Sequence, residues 1–259
     1  MNVVVLTGMG WRHRYVANCW FQRLNVVGVI GEKKRPVASP EKAADGEVVV
    51  SHYRQRDQAE ARWLAEGERF QVGARDLLVI EKGQANSREV FDWIRARNPE
   101  LVLLFGSTII TDPLLGAFQG RIVNMHLGLS PYYRGAATNF WPLVFNQPEC
   151  AGVTIHVPVA RVDAGPILIQ GRPALEASDG CHDIGCKAIR LGAELMPEGI
   201  RRLLEGRLSA PPDPVKGRLF KRTDFTAESV LTMRQNVARG MVPLFLREQN
   251  RLERYPIVE

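Results

Sequence analysis

The chain has 259 residues, of which 45% are hydrophobic and 24% charged. This composition is typical of an ordinary globular protein with material for one large domain, or for one domain with a small appendage. The formal net charge of +6 suits nucleic acid and phosphate-bearing small molecules equally, and the basic residues are spread along the chain.

Targeting and metal signals are missing from the sequence. No apolar run approaches the ~20 residues of a membrane span, and the first run, Val3 to Leu6, breaks at Gly8, too soon for a signal peptide. The four cysteines form no dense framework, so reduced thiols are expected. Cys181, His182 and Cys186 lie close together but lack the paired spacing of a zinc site. We expect a cytoplasmic protein without membrane contact and without a metal.

The first part of the chain alternates apolar runs with helical segments. The predicted elements are a strand over residues 2–6, a helix from about Tyr15, a strand over 26–30, a strand over 77–80, a helix opening near Ser87 and a strand over 101–105. This alternation predicts an α/β fold with a doubly wound, mostly parallel sheet. Ligands of such sheets bind beyond the carboxyl ends of the strands.

The rest of the chain predicts further strands and two helices. They are strands over residues 121–125, 151–157, 167–170 and 217–221, a helix over about 183–204 and a helix from about Thr226. Pro211, Pro212 and Pro214 break the pattern between them. We therefore predict a main domain over residues 1–208 and a small C-terminal extension over residues 209–259.

A glycine loop follows the first predicted strand, at Gly8, Met9 and Gly10. Two glycines there hint at a dinucleotide site, but the third glycine of that fingerprint is missing because position 13 is His. No nicotinamide cofactor is therefore predicted. A substrate phosphate at the N-terminus of the following helix, helped by Arg12 or Arg14, fits the loop better.

Asn124 and His126 lie two residues apart on a predicted strand. Both side chains therefore share one face, at the carboxyl end where a sheet of this kind binds its ligands. The loop that follows, with Gly128, Pro131 and Gly135, could wall one side of a pocket. A single His at a strand end is more often structural, so the pair gains weight only from its context.

That context is a recognisable pair of passages. NMHLGLSPYYRGAATNFWPL at residues 124–143 and AGVTIHVPVARVDAGPILIQ at residues 151–170 closely resemble the signature of the folate-dependent formyltransferases. The shared pattern is Asn-x-His, a leucine and proline loop ending in Gly, and a later Asp, here Asp163. The resemblance covers residues 101–170 strongly. It implies a Rossmann-like formyltransferase fold with 10-formyltetrahydrofolate as the formyl donor.

The resemblance also implies roles for individual residues. Asn124 would hydrogen-bond the formyl oxygen as it becomes an oxyanion, His126 would shuttle a proton, and Asp163 would orient His126. No covalent intermediate is required, so Cys150 is not expected to act as a nucleophile. The folate site would be lined by Phe105, Gly106, Ser107, Thr108, Ile109, Val159, Ala160, Arg161 and Val162.

For the acceptor, the chain looks most like bacterial N-formyltransferases that act on nucleotide-linked amino sugars. Only about 50 residues follow Leu204, too few for the RNA-binding barrel of methionyl-tRNA formyltransferases. We expect a 4-amino-4,6-dideoxy sugar of the GDP-perosamine type, feeding O-antigen polysaccharide synthesis, and no nucleic-acid partner. Candidate acceptor residues are Gly10, Trp11, Arg12, Lys82, Asn86 and Arg134.

Alternatives stay open. The acceptor could be methionyl-tRNA, glycinamide ribonucleotide or hydroxyornithine. A formyltetrahydrofolate hydrolase would keep the same three residues, and a protein that only binds folate or a sugar nucleotide would keep the pocket without turnover. The sequence leaves the oligomeric state, including a homodimer, undecided.

Overall fold

The computed structural model describes residues 1–33, 43–210 and 217–259. The strands are β1 (Asn2–Gly8), β2 (Asn25–Glu32), β3 (Leu77–Ile80), β4 (Leu101–Phe105), β5 (Ile122–His126), β6 (Tyr133–Gly135), β7 (Val153–His156), β8 (Ile167–Gly171) and β9 (Arg218–Phe220). The α-helices are α1 (Trp11–Arg23), α2 (Ala43–Trp63), α3 (Arg88–Ala96), α4 (Leu114–Ala117), α5 (Trp141–Val144), α6 (Cys181–Leu204), α7 (Ala227–Ala238) and α8 (Met241–Arg247).

The main sheet has seven strands in the order β3-β2-β1-β4-β5-β7-β8. The first five in that order run parallel, whereas β7 is antiparallel to both of its neighbours. The predicted α/β fold with a doubly wound, mostly parallel sheet is confirmed. Strand order reverses between β1 and β4, which is where open sheets of this class leave a crevice for ligands.

Successive residues of β1 face opposite sides of the sheet and enter different cores. Val3 and Val5 pack with α1 and α6, whereas Val4 and Leu6 pack with α3. All four side chains are fully buried. Because parallel sheets are covered by helices on both faces, their strands are apolar on both sides, which is why these strands were visible in the sequence.

The described part of the C-terminal extension packs against the main body. β9 pairs with β6 in a parallel two-stranded sheet, and α7 and α8 bury Val230 and Val242 in a cluster with Tyr133 and Trp141. The predicted strand at residues 217–221 and the helix from Thr226 are both confirmed, with the Thr226 side chain capping α7. Pro211, Pro212 and Pro214 lie outside the described residues, so the boundary at residue 208 stays a prediction.

Two helices differ from the sequence prediction. α1 begins at Trp11 rather than near Tyr15, with Gly10 as its N-cap residue. α2 was not predicted at all. Its described side chains are largely polar, and it is held by long-range contacts such as the ion pair between Glu60 and Arg12 and the hydrogen bond from Trp63 to Asp183. Tertiary contacts of this kind override weak local signals.

None of the helices in the described ranges combines the length and the apolarity that a membrane crossing requires.

Candidate active site

Three polar side chains meet where β5 and β7 lie side by side. Asn124 is directly opposite His156 in the antiparallel register, and opposite residues of such a pair carry neighbouring side chains. The Asn124 Nδ2 and the His156 Nε2 lie 2.9 Å apart. His126 is the last residue of β5, so all three side chains stand at the edge of the sheet that was predicted to bind the ligand.

Asp163 reaches the same place from the turn between β7 and β8. Its backbone is left-handed, with φ of 48°, a conformation that Asp adopts more readily than most residues. At Gly165 a Cβ atom would lie 1.8 Å from the carbonyl oxygen of Val157, so only glycine lets the turn close this tightly. Strained backbone of this kind concentrates at functional sites.

The Asp163 carboxylate lies between two histidines. Its Oδ2 is 3.4 Å from the His126 Nδ1, and its Oδ1 is 3.8 Å from the His156 Nε2. The backbone N–H of Gly135 donates to Oδ2 at 3.0 Å. The His126 Nε2 on the other side of its ring lies 3.3 Å from the carbonyl oxygen of Tyr133. The structure thus brings Asn124, His126 and Asp163 together, and adds His156 to them.

Burial and charge set the protonation states of two of these groups. Burial opposes ionisation of Asp163, but His126, His156, the Gly135 N–H and Arg134 together hold its pKa below the ordinary value. For His156, burial outweighs the attraction of Asp163 and lowers the pKa to about 4. Near neutral pH the site therefore contains a charged Asp163 and an uncharged His156.

These protonation states give the Asn124 amide a defined role. A neutral His156 can accept a hydrogen bond at Nε2 from one N–H of the amide. The amide nitrogen carries a second N–H, which is then oriented to donate to a ligand oxygen. With His126 held between Asp163 and Tyr133, the arrangement can stabilise a developing negative charge and transfer a proton.

A second surface of the site is formed by the loop after β4. The Thr108 N–H and hydroxyl both donate to the Glu32 carboxylate, at 2.7 and 2.6 Å, and the Gly83 N–H donates to it at 2.7 Å. Glu32 is the last residue of β2 and is buried. It therefore ties the loops after β3 and β4 together at the carboxyl edge of the sheet.

The residues predicted to line a folate site lie on this loop and on the turn before Asp163. Ile109 is 62% exposed and Val159 is 43% exposed. Ala160 and Arg161 are also exposed, Val162 and Thr108 are partly buried, and Phe105 is buried at the end of β4.

The candidate acceptor residues divide into three groups. Trp11, Arg12 and Asn86 have protein partners: the Leu64 carbonyl, the Glu60 carboxylate, and the backbone of residues 109 and 111, respectively. Gly10 and Lys82 are exposed. Arg134 is buried beside Asp163, and within the described part of the chain its Nε has no hydrogen-bond partner.

His156 and Glu32 were not among the residues predicted from the sequence. His156 lies inside the second of the two quoted passages, which was the available signal, but its pairing with Asn124 depends on the register between two strands. Glu32 lies two residues beyond the predicted strand at 26–30, where a carboxylate is typical of an ordinary surface charge. Neither contact is local in sequence, so pattern alone could not find it.

The described side chains include no group of three His, Cys, Asp or Glu residues that could hold a metal ion. Cys181 and Cys186 belong to α6, and burial raises the pKa of each thiol to about 12. Burial also raises the pKa of the Cys150 thiol. Thiols that stay protonated are poor nucleophiles.

Comparison with known proteins identifies the family. The family model described as Formyl transferase matches residues 1–200, and the chain belongs to this family. The site therefore lies within the matched region, together with all seven strands of the main sheet.

Individual relatives match only about half of this chain, at about 30% identity. A methionyl-tRNA formyltransferase from Pelobacter propionicus is 30% identical over 141 residues, which are 54% of this chain and 44% of the relative. Another from Caldanaerobacter subterraneus is 29% identical over 124 residues, which are 48% of this chain and 40% of that protein. The matched region thus spans less than half of either relative.

Solved structures extend the similarity over most of the chain. Glycinamide ribonucleotide transformylase 1 from Symbiobacterium toebii is 26% identical, with a TM-score of 0.52 over 85% of this chain and 94% of the other. A sugar N-formyltransferase from Shewanella has a TM-score of 0.54 at 18% identity, over 87% of this chain and 78% of the other. The second likeness shows the shared fold.

Proposed function

We propose that this protein transfers the formyl group of 10-formyltetrahydrofolate to an amine. The observation that carries the proposal is the meeting of Asn124, His126, His156 and Asp163 at the carboxyl edge of the sheet, with the Asn124 amide held by a neutral His156. Membership of the formyl transferase family supports the same chemistry.

The reaction assigns one task to each group. The amine nitrogen attacks the formyl carbon, and the carbonyl oxygen becomes an oxyanion that the free N–H of Asn124 stabilises, by about 3 kcal/mol for one such donor. The attacking nitrogen loses its proton to His126, which Asp163 orients. The oxyanion then re-forms the carbonyl, the bond from the formyl carbon to N10 breaks, and N10 takes the proton from His126 as tetrahydrofolate leaves. The remaining rate comes from holding donor and acceptor together.

For the donor, we propose binding between the loop after β4 and the turn before Asp163. Ile109 and Val159 offer apolar surface there, and Glu32 fixes the loop by accepting hydrogen bonds from Thr108. An aromatic pterin needs apolar contact on its faces and polar groups at its edge, which backbone groups of residues 105–109 and 159–162 can supply.

For the acceptor, we propose a nucleotide-linked 4-amino-4,6-dideoxy sugar, with GDP-perosamine as the first compound to test. The proposal assigns the phosphate groups to Lys82 and Gly10, which are exposed, and Arg134 lies beside Asp163. Trp11, Arg12 and Asn86 would shape this surface through their protein contacts. The described residues 217–259 form a strand and helices that pack on the cluster around Tyr133 and Trp141.

Methionyl-tRNA is the second candidate acceptor, because the relatives found by sequence are named as methionyl-tRNA formyltransferases. The two candidates differ in size and charge, so the same assay separates them.

The test incubates the purified protein with 10-formyltetrahydrofolate and, in parallel, with GDP- and dTDP-linked amino sugars, methionyl-tRNA, glycinamide ribonucleotide and N-hydroxyornithine. Mass spectrometry should show a gain of one formyl group on an amino sugar nucleotide. Formylation of methionyl-tRNA alone would refute the proposed sugar-nucleotide acceptor and support the proposed formyl transfer. Release of formate in the absence of an acceptor would indicate a hydrolase. If no tetrahydrofolate forms in any reaction, the protein binds its ligands without turnover.

A further inference from the structure

Strand β6 contacts both members of the His–Asp pair through its backbone. The carbonyl oxygen of Tyr133 lies 3.3 Å from the His126 Nε2, and the N–H of Gly135 donates to Asp163 at 3.0 Å. β6 has only three residues and lies outside the main sheet. Its position, and with it the position of these two backbone groups, must therefore be fixed by another part of the molecule.

One such part is β9, in the C-terminal extension. The Arg218 N–H donates to the Tyr132 carbonyl and the Ala136 N–H donates to the Phe220 carbonyl, both at 2.9 Å. We call these two strands, residues 133–135 and 218–220, the β6–β9 ribbon. At Gly135, where φ is 91°, a Cβ atom would lie 2.2 Å from the Phe220 carbonyl oxygen, so the two backbones meet as closely as glycine permits.

A ring stack locks the ribbon from the side. The Phe220 ring lies 4.5 Å from the Trp141 ring with 10° between their planes, and 5.9 Å from the Tyr133 ring with 6° between their planes. Phe220 is thus placed between the strand that touches the catalytic pair and α5 of the main body. Stacked aromatic pairs add to the stability that burial alone provides.

We propose that β9, through Phe220, positions His126 and Asp163 for the reaction. The proposal rests on the proposed function for its catalytic meaning, and on the ribbon contacts for its geometry. Phe220 touches neither of the two side chains and acts through the backbone of β6. Because a displacement of about 1 Å at a reacting group can lower a rate by ~10²-fold, partial loosening of β6 should be visible in kcat.

The experiment compares Phe220→Leu with Phe225→Leu. Phe225 is also half-buried in the extension and packs on Phe140 at 4.7 Å and on Tyr53 at 5.6 Å, but it lies outside the ribbon. Phe220→Leu should lower kcat by ~10-fold with KM values within about threefold of the original, whereas Phe225→Leu should change neither. Phe220→Tyr retains the flat ring and should restore kcat.

A second readout does not depend on turnover. The protein has five histidines, so their imidazole resonances can be assigned by NMR. Phe220→Leu should shift the His126 resonances while Phe225→Leu leaves them in place, and Phe220→Met offers a milder change if the Leu variant does not fold. Equal effects of the Phe220 and Phe225 variants on His126, or no effect of either, would overturn the proposal. If the original chain forms no product, the proposed function fails, and the resonances still decide on the ribbon.

Discussion

Two regions at the same edge of the sheet, the loop after β1 and the end of β5, use their polar residues in different ways. The loop after β1 leads into α1, where Arg12 pairs with Glu60 and Trp11 donates to the Leu64 carbonyl. At the end of β5, in contrast, Asn124 contacts His156 and His126 contacts Asp163, two groups that also belong to the site. Polar residues at a strand end thus serve stability when another helix covers them, and chemistry when they face one another across a crevice.

The largest expected effect lies at the end of β5 and at Asp163. Replacing Asn124 or His126 by Ala, or Asp163 by Asn, should lower kcat by ~10²-fold or more with smaller changes in KM, since we propose that these groups act on the transition state. Steady-state kinetics with the acceptor found by mass spectrometry measures this.

The matched control is Asp179→Asn. Asp179 is a buried carboxylate paired with Lys187 at 2.8 Å. Its replacement should leave kcat unchanged, although stability falls. Near-normal turnover in all three site variants would refute the assignment of the site.

A smaller effect is expected at His156, which holds the Asn124 amide. His156→Phe keeps a ring but offers no acceptor, so the amide is free to rotate and kcat should fall by ~10-fold or more. His156→Gln provides an oxygen acceptor and should retain more activity than the Phe variant. If the two variants are equally active, the hydrogen bond to Asn124 has no role in turnover.

The sequence predicted the sheet because its strands are buried on both faces and are therefore apolar throughout, as in Val3 to Leu6. It also predicted three members of the site from the resemblance carried by residues 124–143 and 151–170. Their mutual distances agree with a common site, although their catalytic roles remain a prediction until the variants are measured.

What the sequence could not provide is contact between distant segments. His156 faces Asn124 only because β7 pairs with β5 in one register. Glu32 accepts a hydrogen bond from the Thr108 N–H, which is 76 positions away in the chain. Likewise, α2 depends on Glu60 and Trp63 reaching Arg12 and Asp183. Register and long-range ion pairs leave no periodic signal, so they escape pattern analysis.

The ion pair between Arg12 and Glu60, beside the loop after β1, should respond to mutation in the opposite way from the site. Glu60→Gln breaks the ion pair with Arg12 inside a nearly closed environment, because the Glu60 side chain is 5% exposed. The free energy of unfolding should fall by ~1–3 kcal/mol while kcat stays the same. Urea denaturation followed by fluorescence measures the first quantity.

Asp57→Asn is the control for that variant. Asp57 also pairs with an arginine, at 2.7 Å, but its side chain is 65% exposed. Exposed pairs contribute ~0–1 kcal/mol, so the stability should hardly change. A loss of turnover in Glu60→Gln without a loss of stability would mean that the loop after β1 belongs to the catalytic machinery.

The smallest effect concerns the pH dependence of stability in the region covered by α2. The rings of His52 and His182 lie 4.6 Å apart, and burial, followed by neighbouring positive charges, lowers the pKa of His52 to about 3 and that of His182 to about 4, from 6.5. Both pKa values are lower in the folded state, so the unfolded chain binds more protons as the pH falls below 6.5. The stability that these two histidines contribute is therefore fully present above pH 6.5 and is lost as the pH falls toward 4.

His182→Gln should remove part of this loss. Between pH 7 and pH 5 one buried histidine contributes about 1–2 kcal/mol to the fall in the free energy of unfolding. The variant should therefore show a shallower fall than the original chain. Between pH 7 and pH 8 the free energy of unfolding of each chain should stay constant. Urea denaturation at pH 8, 7, 6 and 5 tests this. Parallel curves for the two chains would show that His182 is protonated as easily in the folded protein as in the unfolded one. The same titration of His156→Gln should show a shallower fall as well, but with a loss of turnover at every pH, which again separates the site from the region that supports it.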